Sequence, residues 1–152
     1  METKQFLKYY ASNAHFRIEN PNPTWAAKKG IKWDRGDCAI RALANALTIS
    51  WVEAFDYLTA KGRRDFYTSG DSAGWRKWLP ESGGKWVACK AEKGKSRMTA
   101  LQFAESHPEG RFILYVANHF TACVDGVILD TWNCSGKCLV GYFEMDEFDI
   151  NK

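Results

Sequence analysis

The sequence predicts an α+β fold, helices first and an antiparallel sheet second, on three observations. Between Cys38 and Leu47 only Arg41 and Asn45 are strongly polar, and a helix apolar almost all round belongs inside a protein. Ser50-Trp51-Val52-Glu53 and Thr99-x-x-Gln102 both carry the capping-box pattern that opens a helix. From Arg111 onward the texture changes to β-branched and aromatic runs, interrupted at Asp125-Gly126, a strong hairpin signal because a type I′ turn needs positive φ at both central residues. At 152 residues the chain is expected to be a single domain, residues 1 to 152.

In order along the chain, residues 1 to 37 are expected to form an irregular arm, because Pro21, Pro23, Gly30 and Gly36 punctuate the stretch. Residues 38 to 108 are expected to be mainly helical. The first helix starts at Cys38. The second starts after Ser50, with Val52, Phe55, Leu58 and Thr59 at helical spacing and Gly62 as its stop. A short helix over 72–79, with Trp75 and Trp78 three apart, should end near Pro80. The Thr99 helix should end at His107-Pro108, since proline disfavours helix for its predecessor. Residues 111 to 145 are expected to be the antiparallel sheet.

Composition narrows the function classes. The 21 basic and 18 acidic residues give a formal charge of +3, and their signs are interleaved, so the electrostatic footprint of a nucleic-acid binder is missing. No apolar run approaches the roughly 20 residues that cross a bilayer, so no membrane partner is expected. The stretch METKQFLKYY lacks the apolar core of a secretory signal, and the five cysteines are odd in number and irregularly spaced. Both features predict a reducing cytoplasm, where a cysteine serves as a packed thiol, a metal ligand or a nucleophile.

Hairpin geometry defines the chemistry. A two-residue turn at 125 and 126 places Val124 opposite Val127, and hence His119 opposite Trp132 and Thr121 opposite Asp130. Alternation then puts His119, Thr121, Cys123, Ile128, Asp130 and Trp132 on one face. His119 and Asp130 are diagonal neighbours, roughly 7–8 Å apart at Cβ, a gap that an imidazole and a carboxylate can bridge. Cys38 begins the buried helix, where the dipole and unpaired N–H groups favour thiolate over thiol. If the His119 face packs on that helix end, the three form a Cys-His-Asp relay, with the Cys38 backbone N–H as one oxyanion donor.

The residues carrying this order are Glu19-Asn20-Pro21, Gly36-Asp37-Cys38-Ala-Ile-Arg41, Ser50-Trp51-x-Glu53, Gly84-Lys85-Trp86-Val87 and the run from His119 to Trp132. Together they resemble the papain-like (clan CA) cysteine peptidase superfamily, and more narrowly the small papain-like proteins of phages and prophages. The resemblance implies a papain-like fold in which a buried N-terminal helix packs on an antiparallel sheet. It further implies a cofactor-free hydrolase with Cys38 as nucleophile, His119 as base then acid, and Asp130 as orienter. An amide or isopeptide bond would be cleaved through an acyl-enzyme, on a protein or peptide substrate that includes a host protein if the chain is phage-encoded. Papain-like enzymes usually place a glutamine upstream of the cysteine as second oxyanion donor. Here Lys32-Trp33-Asp34-Arg35 holds no such residue, which leaves Asn20 or Asn22 as the candidate. Acyl or amine transfer, peptidoglycan amide cleavage, and a non-enzymatic interaction module on an inactive scaffold are the alternatives on the same architecture.

Other motifs carry blander expectations. Cys134-x-x-x-Cys138 with Cys123 lacks the paired four-ligand spacing of a structural zinc site, so no metal is expected. Gly94-Lys95-Ser96 lacks the earlier glycine of a phosphate loop and reads as a solvated basic turn. His15 and His107 are expected at the surface without partners. Trp132 should shield the His119–Asp130 bond, Trp33 should line a substrate groove, and the other tryptophans should pack.

Overall fold

A computed structural model describes residues 11–24 and 36–152. Among these residues six strands make one sheet: β1 (Phe16–Ile18), β2 (Lys85–Ala88), β3 (Arg111–Val116), β4 (His119–Val124), β5 (Val127–Asp130) and β6 (Leu139–Glu144). Their order is β1-β5-β4-β3-β6-β2, antiparallel except for the parallel β1–β5 pair. Among the described residues four helices accompany it: α1 (Cys38–Leu47), α2 (Trp51–Asp65), α3 (Ser72–Glu81) and α4 (Ala100–Ser106). The class is mixed α+β, as the sequence predicts. Among the described residues no helix is long and apolar enough to cross a membrane.

The sheet is covered on both faces. On one, α1, α2 and α3 bring Leu43, Leu58, Trp75 and Trp78 against Ile113, Phe120, Ala122, Leu129 and Phe143. On the other, α4 brings Phe103 and Ala104 against Phe16, Phe112, Leu114, Cys123, Ile128 and Leu139. Each such aliphatic or aromatic side chain withdrawn from water stabilises the fold by roughly 1.5–3 kcal/mol. The centre of the first cluster is Trp75, fully buried and stacked on Phe120 with centroids 4.2 Å apart.

Several elements depart from expectation for local reasons. The arm contains β1, because Phe16 is fully buried and residues 16 to 18 add to the edge of β5. The helical half contains β2, paired with β6. Helix α2 runs past Gly62 to Asp65. A Cβ at Gly62 would lie 2.4 Å from the Tyr67 carbonyl oxygen, so that glycine permits close packing, and Phe66 at φ 64° ends the helix. Val52 and Phe55 are exposed while Ala54, Tyr57 and Leu58 are buried, since the helix rotates its tyrosine inward. Helix α3 carries Pro80 within its last turn instead of stopping before it.

The hairpin forms as its turn dictates. Asp125 and Gly126 have φ of 49° and 76°, and Ala122, Cys123 and Val124 pair with Leu129, Ile128 and Val127. The buried helix does not, however, lie on the face of the hairpin that holds His119. It packs on Phe120, Ala122 and Leu129, the opposite set, because those residues continue the apolar surface made by Ile113 and Phe143. The start of α1 therefore meets the hairpin at its open end, where β4 begins and β5 stops.

Candidate active site

Helix α1 is buried along Ala39 to Ala46, and its two polar residues are held by partners. Asn45 donates to the carbonyls of Glu19 (3.3 Å) and Leu129 (3.4 Å), while the Glu19 N–H donates to the Asp130 carbonyl (2.9 Å). These bonds tie the end of β5 to the helix. At the helix start, Asp37 is the N-cap residue, yet its carboxylate makes no cap hydrogen bond. It turns sideways instead and accepts from Asn22 Nδ2 (2.9 Å), Trp51 Nε1 (2.9 Å) and Arg41 Nη1. The N–H groups of the first turn thus keep no side-chain cap, and the positive end of the dipole is left to Cys38.

Cys38 is partly buried, and the His119 side chain and the Phe120 backbone act on its thiol. Burial alone would raise its pKa. The bonds to His119 and Phe120, with the charges of His119 and Arg41, outweigh burial and hold the thiol below its ordinary value. His119 Nε2 lies 2.6 Å from Asp130 Oδ2, in side chains only 13% and 3% exposed. This uses one ring nitrogen and leaves Nδ1 as the other. Burial disfavours the imidazolium, but the bonds to Asp130, Cys134 and Cys38 and the Asp130 charge push its pKa well above the ordinary histidine value. Both shifts favour a thiolate–imidazolium pair.

Asp130 divides its two oxygens between tasks. Oδ1 accepts the Thr131 N–H at 2.7 Å and lies 3.9 Å from Arg41 Nη2, whereas Oδ2 faces His119 and takes a long bond from Cys134 Sγ at 3.6 Å. The Trp132 ring sits 5.3 Å from the His119 ring, centroid to centroid, at 46°. It covers the histidine as the hairpin pattern anticipates. No protein-family model, curated protein or solved structure matches the chain.

The structure therefore brings Cys38, His119, Asp130 and Trp132 together. It separates Asn22 from the oxyanion role expected of it, because the amide is engaged by Asp37. Asn20 accepts the Asn22 N–H through Oδ1, and its buried Nδ2 finds no hydrogen-bond partner among the described residues. Trp33 lies outside the described residues. His15 and His107 are not partnerless: His15 Nδ1 bonds the Gly126 carbonyl (2.9 Å), and His107 bonds the Phe103 carbonyl (2.8 Å) and stacks on the Phe103 ring.

Two features escaped the sequence reading. One is Asp37 with Arg41, for which the signal was present: an arginine in an otherwise apolar helix requires a buried acid. The other is Cys134, which joins His119 and Asp130 in a group of three whose donor atoms all lie within 4.8 Å of one another, a spacing that could hold a metal ion. The Arg41 guanidinium already stands beside Asp130 and weighs against a cation there. All five cysteines are free thiols.

Proposed function

We propose that this chain is a cysteine hydrolase of papain-like architecture that cleaves an amide or isopeptide bond of a protein or peptide substrate. The observation that carries the reading is the buried 2.6 Å hydrogen bond between His119 and Asp130 beside Cys38, the first residue of α1, whose thiol interacts with the same ring. A sulfur at a helix start, an imidazole with one nitrogen anchored on a buried carboxylate, and an aromatic cover over that bond are the parts an acyl transfer requires.

The reaction proceeds in two halves. The Cys38 thiolate attacks the scissile carbonyl carbon, and the negative charge moves to the carbonyl oxygen, where the Cys38 backbone N–H, which at the first helical position has no intrahelical partner, donates a hydrogen bond. Collapse of this intermediate breaks the C–N bond, and His119 gives its proton to the departing amine. Water then attacks the thioester while neutral His119 removes its proton, which releases the acid and restores the ion pair. Asp130 holds the ring and stabilises its charged form throughout. The five free thiols suit a reducing compartment such as the cytoplasm.

The test is thiol labelling at about pH 5.5, where ordinary thiols are protonated and iodoacetamide reacts slowly. We expect alkylation to fall on Cys38, located by peptide mass mapping, with exposed Cys138 as the internal comparison. Incubation with an activated acyl donor should add one acyl group, absent in Cys38→Ala. Cys38 labelling with the pH profile of Cys138, or an acyl adduct that survives Cys38→Ala, overturns the reading.

A further inference from the structure

We propose that Arg41 and Asp37 are positioning residues of this site: a buried carboxylate–guanidinium–carboxylate bridge, from Asp37 through Arg41 to Asp130, that fixes where Cys38 stands relative to His119. The inference rests on the cysteine-hydrolase reading above and assigns two residues to it that touch no reacting atom.

The bridge joins two chain segments at the places that matter. Asp37 is the residue immediately before Cys38, and Arg41 lies one helical turn further on, so their ion pair clamps the first turn of α1. Asn22 and Trp51 donate to Asp37 from the arm and from α2, which fixes the carboxylate itself. At the other end Arg41 Nη2 approaches Asp130 Oδ1, the oxygen that His119 does not use. The guanidinium thereby occupies the back of the carboxylate and presents its front to the imidazole. All three charged side chains are buried, with exposures of 3% for Arg41, 7% for Asp37 and 3% for Asp130. Buried charges that serve packing alone are often replaceable by apolar residues without loss of stability. Here the bridge spans the distance between nucleophile and orienter. Guanidinium is the group for this task, because its planar fork reaches two carboxylates at once and its charge persists at every working pH.

Two variants test the proposal by the pH profile of Cys38 alkylation, with Cys138 alkylation and urea unfolding as controls. Arg41→Lys keeps the charge and removes the fork. Asp37→Asn puts an amide nitrogen where one carboxylate oxygen accepted N–H donors, so it disturbs the anchor while removing a negative charge near the sulfur. If the bridge positions Cys38, both slow its alkylation at about pH 5.5 by roughly tenfold or more, the size expected when a charge-assisted hydrogen bond is lost, and leave Cys138 unchanged. If Asp37 acted only through its charge, Asp37→Asn would instead make Cys38 more reactive. Unchanged Cys38 profiles in the folded variants, faster alkylation in Asp37→Asn, or failure of both to fold each overturn the proposal. Ordinary reactivity of Cys38 in the unaltered protein overturns the hydrolase reading first, which separates the two failures.

Discussion

Substituting Asp130 by asparagine removes one charge and almost no volume, and the surroundings determine which way the new amide must face. Oδ1 accepts the Thr131 N–H at 2.7 Å and has the Arg41 guanidinium nearby, so the amide oxygen must take that place. The amide nitrogen then replaces Oδ2 and points a donor at His119 Nε2, where an acceptor stood 2.6 Å away. The ring responds by adopting the tautomer with its proton on Nδ1, so it can no longer take a proton there from Cys38. A charge-assisted bond of this kind contributes about 1.5–3 kcal/mol, which converts to roughly 10- to 100-fold in the population of the thiolate–imidazolium pair. Asp130→Asn should therefore slow iodoacetamide alkylation of Cys38 by that factor at about pH 5.5, and the deficit should shrink as the pH approaches the ordinary thiol range. Stopped-flow alkylation rates across pH, with a urea titration to confirm that the variant is folded, provide the measurement. A folded Asp130→Asn protein whose Cys38 profile superimposes on that of the unaltered chain refutes the argument that this carboxylate sustains the ion pair.

Two further outcomes concern stability. Trp75→Ala should lower the free energy of unfolding by about 3–5 kcal/mol, because it opens a cavity against Phe120 and Phe143 and orphans the Ser69 carbonyl that the indole N–H now bonds at 2.6 Å; a urea midpoint within error of the unaltered protein contradicts that packing. Burial opposes the charged form of Asp37, but the bonds from Asn22, Trp51 and Arg41 and the Arg41 charge hold its pKa below the ordinary carboxylate value. The unfolded chain thus binds the proton first as pH falls, so this contribution is complete above the unfolded pKa and is lost on descent through the folded one. Thermal melts from pH 6 downward should show an acid limb that is flatter in Asp37→Asn, and an equally steep limb in the variant argues against the assignment.

What the sequence revealed follows from how local each feature is. The turn at Asp125-Gly126 fixes the hairpin register within a few residues, and that register alone placed His119 near Asp130 and Trp132 over the ring. The all-round apolar character of residues 39 to 46 likewise announced a buried helix. By contrast β1 is three residues long and pairs in parallel with β5, a contact across more than a hundred residues that no local period encodes. The face on which α1 packs is likewise not encoded locally. The choice depends on which of two apolar surfaces Ile113 and Phe143 extend, a property of the assembled sheet. Arg41 was visible as an oddity in an apolar helix, but its partners lie in the residue before Cys38 and at the end of β5.

The capping pattern separates this helix from its neighbours. Ser50, Asp71 and Thr99 each accept a backbone N–H of the helix they begin, which is where such side chains stabilise a helix by about 0.5–2 kcal/mol. Asp37 occupies the same position before Cys38 and forgoes that bond, although aspartate is among the best residues for it. Its carboxylate faces Arg41, which in turn faces Asp130, so a guanidinium and two carboxyl groups are buried in one line from the residue before Cys38 to the end of β5. A capped first turn would stabilise α1 but would occupy the N–H groups that favour a thiolate and that receive an oxyanion in the proposed hydrolase. Local rules are kept at three helix starts and broken at one, and the exception falls where a cysteine, a histidine and an acid converge; that coincidence is expected when stability has been given up for chemistry.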